Sequence, residues 1–129
     1  MTTTDRLRLA PVMVDALRRT FRGEIVQPDD VDYDEHRRIW NGSIDRHPAL
    51  IARCADADDV SDAIRFARDS GLDLTVRSGG HSFPGHSVSD DALVVDLSLM
   101  KQIQVDPENR VARVQAGVRL GELDAATQP

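Results

Sequence analysis

A glycine-rich segment between two apolar runs places the strongest constraint on how this chain can fold. The apolar runs cover residues 72–76 and 92–97, and the residues between them are mostly turn formers that include paired glycines at Gly79 and Gly80. This order predicts a strand, a compact loop and a second strand. Because glycine lacks a Cβ atom, the backbone of the loop can adopt a positive φ and approach a ligand closely.

The composition of the loop favours an anion-binding site. Consecutive backbone N–H groups in a glycine-rich turn can point into one concavity and hold an anion. Arg77 adds a fixed positive charge at the mouth of the loop, and His81 adds a reactive imidazole in its middle. We therefore predict a phosphate- or pyrophosphate-binding loop. Its candidate cofactor-binding residues are Arg77, Ser78, Gly79, Gly80, His81, Ser82, Gly85 and His86.

Other kinds of site share parts of this pattern. A Walker-type phosphate loop has the spacing of Gly80 and Gly85, but it requires a lysine where His86 stands and a helix where a strand is expected. A serine-hydrolase elbow would use Ser82, but Pro84 occupies the place of its last glycine. A tight turn with a surface histidine is a structural alternative. A metal site is another alternative, although its possible ligands have no helical or hairpin spacing that would bring them together. Those ligands would be His81, His86 and Asp90 or Asp91.

The pattern of apolar residues predicts an α+β fold with a small mixed sheet and helices on one side. Residues 56–70 show the i, i+3, i+4, i+7 spacing of a helix whose buried face includes Ile64. This helix links predicted strands at residues 50–54 and 72–76 in a βαβ unit, whose strands are normally parallel. The run Leu93-Val94-Val95 has little polar alternation, so we expect a strand that is buried on both faces.

Further elements are predicted on both sides of this unit. An amphipathic helix is expected over residues 7–22, with Val12, Leu17 and Phe21 on one face. We also expect a short strand at residues 24–27, a short helix at 33–40, a hairpin of residues 102–105 and 111–115, and a helix at 119–127. His47-Pro48 marks a boundary, because a residue before proline favours extended geometry. We therefore divide the chain into an N-terminal helical lead-in, residues 1–46, and a second unit, residues 47–129.

Composition narrows the classes of function. The formal net charge of −6 argues against a nucleic-acid partner, since a phosphate backbone requires a basic surface. No apolar run approaches the ~20 residues that span a bilayer, so no membrane partner is expected. With one cysteine, Cys54, the 129 residues form no internal disulfide. The N-terminal residues lack a secretory h-region, and the sequence therefore favours a cytoplasmic location.

The loop and two later segments resemble the berberine-bridge-enzyme-like flavin oxidases of the vanillyl-alcohol oxidase / p-cresol methylhydroxylase superfamily. The segments are Arg-Ser-Gly-Gly-His-Ser at residues 77–82, Ala-Leu-Val-Val-Asp-Leu-Ser at 92–98 and Val-Gln-Ala-Gly-Val at 114–118. The resemblance extends from about Pro48 to the last residue, and it implies the N-terminal part of an FAD-binding domain of the p-cresol methylhydroxylase type. It further implies that the loop wraps the FAD pyrophosphate and that His81 is bonded to the 8α-methyl carbon of the flavin. His86 would either border the flavin or cap the turn.

The resemblance also implies an oxidoreductase. Family members oxidise an alcohol, a sugar or a C–H group of a natural product by hydride transfer to the flavin, which dioxygen usually reoxidises. The expected partners are therefore FAD, a small-molecule substrate and dioxygen.

Residues 1–129 match neither the second FAD-binding segment of the family nor its substrate domain. We therefore expect an incomplete FAD-binding domain that carries no catalytic base and is inactive as an oxidase alone. Some members attach the flavin through a second, cysteinyl bond, but Cys54 does not match that cysteine and is expected to be buried. The alternative is a truncated, non-catalytic remnant that binds a nucleotide or a partner.

Overall fold

The computed structural model describes residues 9–128, and this part of the chain has the predicted α+β architecture. The helices are α1 (Pro11–Thr20), α2 (Tyr33–Arg37), α3 (Ala57–Asp69) and α4 (Leu120–Thr127). The strands are β1 (Glu24–Val26), β2 (Leu50–Arg53), β3 (Leu74–Arg77), β4 (Leu93–Asp96), β5 (Ile103–Asp106) and β6 (Val111–Val114). Of the predicted first helix, residues 7 and 8 lie outside the described residues.

The main sheet is mixed and has the strand order β1-β2-β4-β3. β2, β4 and β3 run parallel, whereas β1 pairs antiparallel with β2. The predicted βαβ unit is present as β2-α3-β3, but β4 lies between its two strands. All four residues of β4 are buried, as the apolar run at residues 93–95 predicted. The predicted hairpin is also confirmed, because β5 and β6 form a separate antiparallel pair.

Apolar residues cover the sheet on both faces. On one face α1 and α3 pack through Val14, Leu17, Ala63 and Ala67 against the side chains of the central strands. On the other face a smaller cluster forms around Ile51 and Val94, and its members from outside the sheet are Tyr33, Ile39 and Val88. The expectation that the helices lie on one side therefore holds for α1 and α3. The short helix α2 lies on the opposite side, where the Tyr33 hydroxyl donates a 2.7 Å hydrogen bond to the Pro48 carbonyl.

Two predicted core residues are exposed. The side chain of Ile64 is 47% exposed, because the line of α3 that meets the core runs through Asp59, Ala63 and Ala67. Ile64 is one position further along the chain than Ala63, so it lies about 100° around the helix axis from that line. Val12 is largely exposed for the same reason, since α1 buries Val14 and Leu17 instead. Sequence periodicity located both helices correctly, and Leu17 and Phe21 are buried as predicted, whereas the assignments of Val12 and Ile64 to the core are wrong.

A buried carboxylate fastens the first helix to the sheet. Asp56 caps α3 by accepting a 2.9 Å bond from the backbone N–H of Asp59. The Asp59 side chain is in turn almost fully buried, and its oxygens accept hydrogen bonds from the backbone N–H groups of Arg22, Gly23 and Ala55 at 2.9, 2.8 and 2.9 Å. The chain can pass this closely only at a glycine, since a Cβ atom on Gly23 would lie 1.9 Å from the Arg53 carbonyl oxygen. Asp59 therefore joins α1, β2 and α3.

We expect Asp59→Ala to lower the free energy of unfolding by about 3 kcal/mol or more, because each buried donor that loses its acceptor costs roughly 1–3 kcal/mol. Urea unfolding followed by circular dichroism measures the change. Asp69→Ala, which removes an exposed carboxylate from the same helix, is the matched control and should change stability by less than ~0.5 kcal/mol. Equal losses in the two variants would contradict this role for Asp59.

Candidate cofactor-binding site

The predicted loop leaves the sheet at the carboxyl end of its parallel strands. β3 ends at Arg77, and the chain returns to the sheet at Leu93, where β4 begins. Ligands of open sheets with parallel strands bind outside the carboxyl ends of the strands, so the loop begins where a cofactor is expected. Of the paired glycines, Gly80 has the predicted positive φ, at 71°, and Gly79 does not; Gly85 also has a positive φ, at 79°.

The loop residues divide into a buried group and an exposed group. Gly80 and Gly85 are buried and allow the chain to turn, whereas Ser78, Gly79, His81 and His86 are exposed. Short bonds within the loop close its second half, since the Ser82 carbonyl accepts from the Gly85 N–H at 3.1 Å and the Ser82 hydroxyl accepts from the His86 N–H at 3.1 Å. The stretch from residue 78 to residue 81 is therefore exposed at Ser78, Gly79 and His81, with Gly80 buried between them.

Arg77 lies beneath the loop and not at its mouth. A Cβ atom on Gly80 would lie 3.2 Å from the Arg77 Nε atom, so the guanidinium packs directly under this glycine. One of its terminal nitrogens donates a hydrogen bond to the His36 carbonyl at the end of α2. Burial lowers the pKa of Arg77, and the nearby Asp96 carboxylate opposes that effect. The Nε atom is buried and has no hydrogen-bond partner among the described residues.

The His81 imidazole lies between a glycine and a tryptophan. A Cβ atom on Gly79 would lie 2.9 Å from the Cδ2 atom of His81, so the missing side chain makes room for the ring. The indole of Trp40 also contacts the His81 imidazole, and the centroids of the two rings are 6.0 Å apart. Phe83 packs edge-on against the same indole at 5.6 Å. His81 is therefore an exposed residue whose imidazole ring has defined neighbours.

Residues before the family-like region hold the loop in place, and the sequence did not indicate them. The Arg46 guanidinium donates to the Gly85 and Val88 carbonyls at 2.6 and 3.0 Å. The Asn41 side chain donates to the Phe83 carbonyl at 2.8 Å. These partners are about forty residues apart in sequence, so no local pattern could have revealed them. The loop is thus shaped by contacts from residues 40–46.

The structure argues against three of the alternative interpretations of the loop, whereas a tight turn with a surface histidine is compatible with the exposed His81. A Walker loop and a hydrolase elbow both need a helix directly after the loop, and β4 stands there instead. The predicted metal site is not formed within residues 9–128, because His81 and His86 do not come close enough to Asp90 or Asp91 to share an ion. Among residues 9–128, the side chains that approach within 4.8 Å as possible metal ligands are Glu24, Asp32 and His36. The Glu24 carboxylate is already paired with the Arg53 guanidinium at 2.6 Å, so we interpret Glu24, Asp32 and His36 as a network of charged side chains and not as a metal site.

Cys54 is buried, as predicted, and forms part of the core under α1 and α3. Burial raises the pKa of its thiol to about 12, and the carboxylates of Asp59 and Asp96 add to this effect. At neutral pH the thiol is protonated, and a protonated thiol is a poor nucleophile.

Comparison with known proteins identifies the class of protein that this fold and loop define. The family described as FAD binding domain matches residues 48–129. The chain belongs to this FAD-binding family. The resemblance drawn from the three sequence segments is confirmed, because the relatives are FAD-linked oxidases that include berberine-bridge-enzyme-like proteins.

Three relatives show how far the similarity extends. (R)-6-hydroxynicotine oxidase of Paenarthrobacter nicotinovorans is 42% identical over 104 residues, which cover 81% of this chain and 23% of the relative. The solved structure of BBE-like 1 from Physcomitrella patens has a TM-score of 0.82 and 28% identity, covering 88% of this chain and 25% of its own. The solved structure of glucooligosaccharide oxidase from Acremonium strictum, which carries a 6-S-cysteinyl, 8α-N1-histidyl FAD, has a TM-score of 0.75 and 29% identity to this chain. The match covers 84% of this chain and 23% of the chain of that oxidase. The chain spans about a quarter of the length of these relatives. Within residues 9–128, no helix is both long enough and apolar enough to cross a membrane.

We expect Arg46→Ala to loosen the second half of the loop, because one guanidinium supports several carbonyls there. Hydrogen exchange at the Gly85 and Val88 amides should speed up by an amount equivalent to about 1–3 kcal/mol of lost protection. Arg46→Lys should restore part of it, since an ammonium lacks the planar fork of the guanidinium. Arg38→Ala, which removes an exposed arginine from the same segment, is the control. Unchanged exchange in Arg46→Ala would contradict the assigned role.

Proposed function

We propose that the exposed stretch Ser78 to His81 binds the pyrophosphate of FAD. The observation that carries the proposal is a row of free donors: the N–H groups of Gly79, Gly80 and His81 bond to no acceptor among residues 9–128. Unpaired backbone N–H groups that point into a turn are suited to anions. Each charge-assisted bond to a phosphate oxygen contributes roughly 1.5–3 kcal/mol. The residues present therefore fit a diphosphate.

We further propose that FAD becomes covalently bound through His81. Among the side chains of the exposed stretch, the His81 imidazole is the one that offers a ring nitrogen as a nucleophile. The new bond joins a ring nitrogen of His81 to the 8α-carbon of the flavin and replaces one N–H and one C–H bond. Dioxygen accepts the two protons and two electrons that are released and leaves as hydrogen peroxide. The 8α-N1-histidyl FAD of the Acremonium relative supports this assignment.

The complete protein is proposed to be an oxidase. FAD supplies the redox chemistry by accepting a hydride from the substrate, and dioxygen would then reoxidise it. The substrate class proposed is an alcohol, a sugar or a C–H group of a natural product. Within residues 9–128 we assign no catalytic base, and the contribution of this segment is to bind FAD and to position the ring through His81.

Acid precipitation of the complete, FAD-loaded protein tests the covalent link. We expect the yellow colour to stay with the denatured pellet and to wash out in His81→Ala. His86→Ala is the matched control, because it removes the other exposed histidine of the loop, and it should keep the flavin. Quantitative release of flavin from the unaltered protein would contradict the covalent assignment and would leave His81 as a noncovalent contact.

Residues 1–129 alone are proposed to be inactive as an oxidase. The hairpin β5–β6 exposes Val105 and Val111, and the sheet edge β3 exposes Val76, so apolar surface of this segment is uncovered. Mixed with FAD and a panel of alcohols and sugars, this segment should produce no hydrogen peroxide. Peroxide above the level of free FAD would contradict the proposal. A complete protein that binds FAD and never turns over would instead favour the non-catalytic binding module.

A further inference from the structure

We propose that Trp40 is a positioning residue that orients the His81 imidazole for attachment to the flavin. This inference rests on the covalent link proposed above. Its starting point is the ring contact, in which the indole and the imidazole have centroids 6.0 Å apart and planes inclined by 41°. Trp40 is 63% exposed, although large aromatic side chains normally contribute by being buried. Its place on the surface is therefore better explained by the ring it contacts than by the core.

The backbone holds Trp40 in this place. The N–H group of Trp40 donates a 3.0 Å hydrogen bond to the Gly80 carbonyl, which directly precedes His81. The next residue, Asn41, donates from its side chain to the Phe83 carbonyl at 2.8 Å. Residues 40 and 41 are thus tied to the loop on both sides of His81. The Phe83 ring contacts the indole edge-on, with an interplanar angle of 83°, and limits its rotation.

The imidazole is consequently restricted on two sides. Gly79 leaves room for the ring against the backbone, where a Cβ atom would lie 2.9 Å from Cδ2 and 3.5 Å from Nε2 of His81. Trp40 contacts the ring as well, so few orientations of the side chain remain. A nucleophile held in one orientation reacts faster than a freely rotating one, because less orientational entropy is lost in the transition state. The expected effect of Trp40 is on the rate of attachment and not on the affinity for FAD.

The test follows covalent attachment over time in the complete protein. The apoprotein is mixed with FAD, samples are denatured at intervals, and flavin fluorescence that stays with the protein band on a denaturing gel is measured. Trp40→Ala should slow attachment by about three- to tenfold, the range that the loss of one aromatic pair produces. Trp40→Phe should restore most of the rate. Val31→Ala is the control, because it removes another exposed apolar side chain of the lead-in that makes no ring contact with His81, and it should leave the rate unchanged.

Further measurements separate orientation from folding and binding. The melting temperature of Trp40→Ala should match that of the unaltered protein, since the side chain is mostly exposed. In a His81→Ala background, where no bond can form, adding Trp40→Ala should leave the dissociation constant of FAD unchanged. A weaker affinity in that background would overturn the inference, because Trp40 would then bind FAD directly.

The remaining outcomes distinguish this inference from the proposal on which it rests. If the unaltered protein attaches FAD and Trp40→Ala does so at the same rate, the role of Trp40 is wrong and the covalent link stands. If the unaltered protein attaches no FAD, both are wrong, since there is then no bond for Trp40 to promote. Slower attachment in Trp40→Ala, with rescue by Trp40→Phe, supports the inference.

Discussion

The parallel pairing of β3 with β4 is the constraint on which the candidate site depends. These strands are consecutive in the chain and adjacent in the sheet, from Leu74 opposite Leu93 to Arg77 opposite Asp96. A chain that leaves Arg77 must therefore travel back along the sheet before β4 can begin. Parallel neighbours are usually joined through a helix, but here the connection is the glycine-rich loop. A ligand-binding loop in this position has to be held by something other than its own secondary structure.

Residues before β2 supply that support. Val88 in the loop is buried with Ile39 on the face of the sheet that α1 and α3 leave open. The Arg46 guanidinium donates from the lead-in to loop carbonyls, and the Arg77 guanidinium donates from the start of the loop to the His36 carbonyl in the lead-in. Charged side chains of both segments therefore join the loop to the lead-in. Hydrogen bonds from a charged donor are stronger than neutral ones. The lead-in thus takes the structural role of the missing crossover helix and leaves the first half of the loop exposed.

Local signals in the sequence predicted the helices, strands and turns, whereas long-range contacts determine the strand order and which side chains are buried. The apolar run at residues 93–95 and the turn at Gly80 each depend on neighbouring residues, and the structure has both. The placement of β4 between β2 and β3 depends on pairings that no short window contains. The bonds that Asp59 accepts from the Arg22 and Gly23 N–H groups depend on how α1 packs, so no local pattern could indicate them. Ile64 is exposed and the Arg77 guanidinium lies under the loop, contrary to expectation, because both placements depend on contacts with residues that are distant in the sequence.

The electrostatics under the loop indicate which forces would hold a diphosphate there. Arg53 and Arg77 reach the carboxyl end of the sheet, but Glu24 pairs with Arg53, and Asp96 lies near both guanidiniums. Asp96 is buried and also accepts a 2.8 Å bond from the Ser98 N–H, so it has the partners that a buried charge requires. Two cations and two carboxylates leave this cluster close to neutral, and the chain as a whole carries a net charge of −6. Long-range attraction of an anion is therefore weak. The proposed binding of a diphosphate would therefore depend on short, directed N–H bonds, and these require the backbone geometry that the glycines and the residues bound to the loop impose.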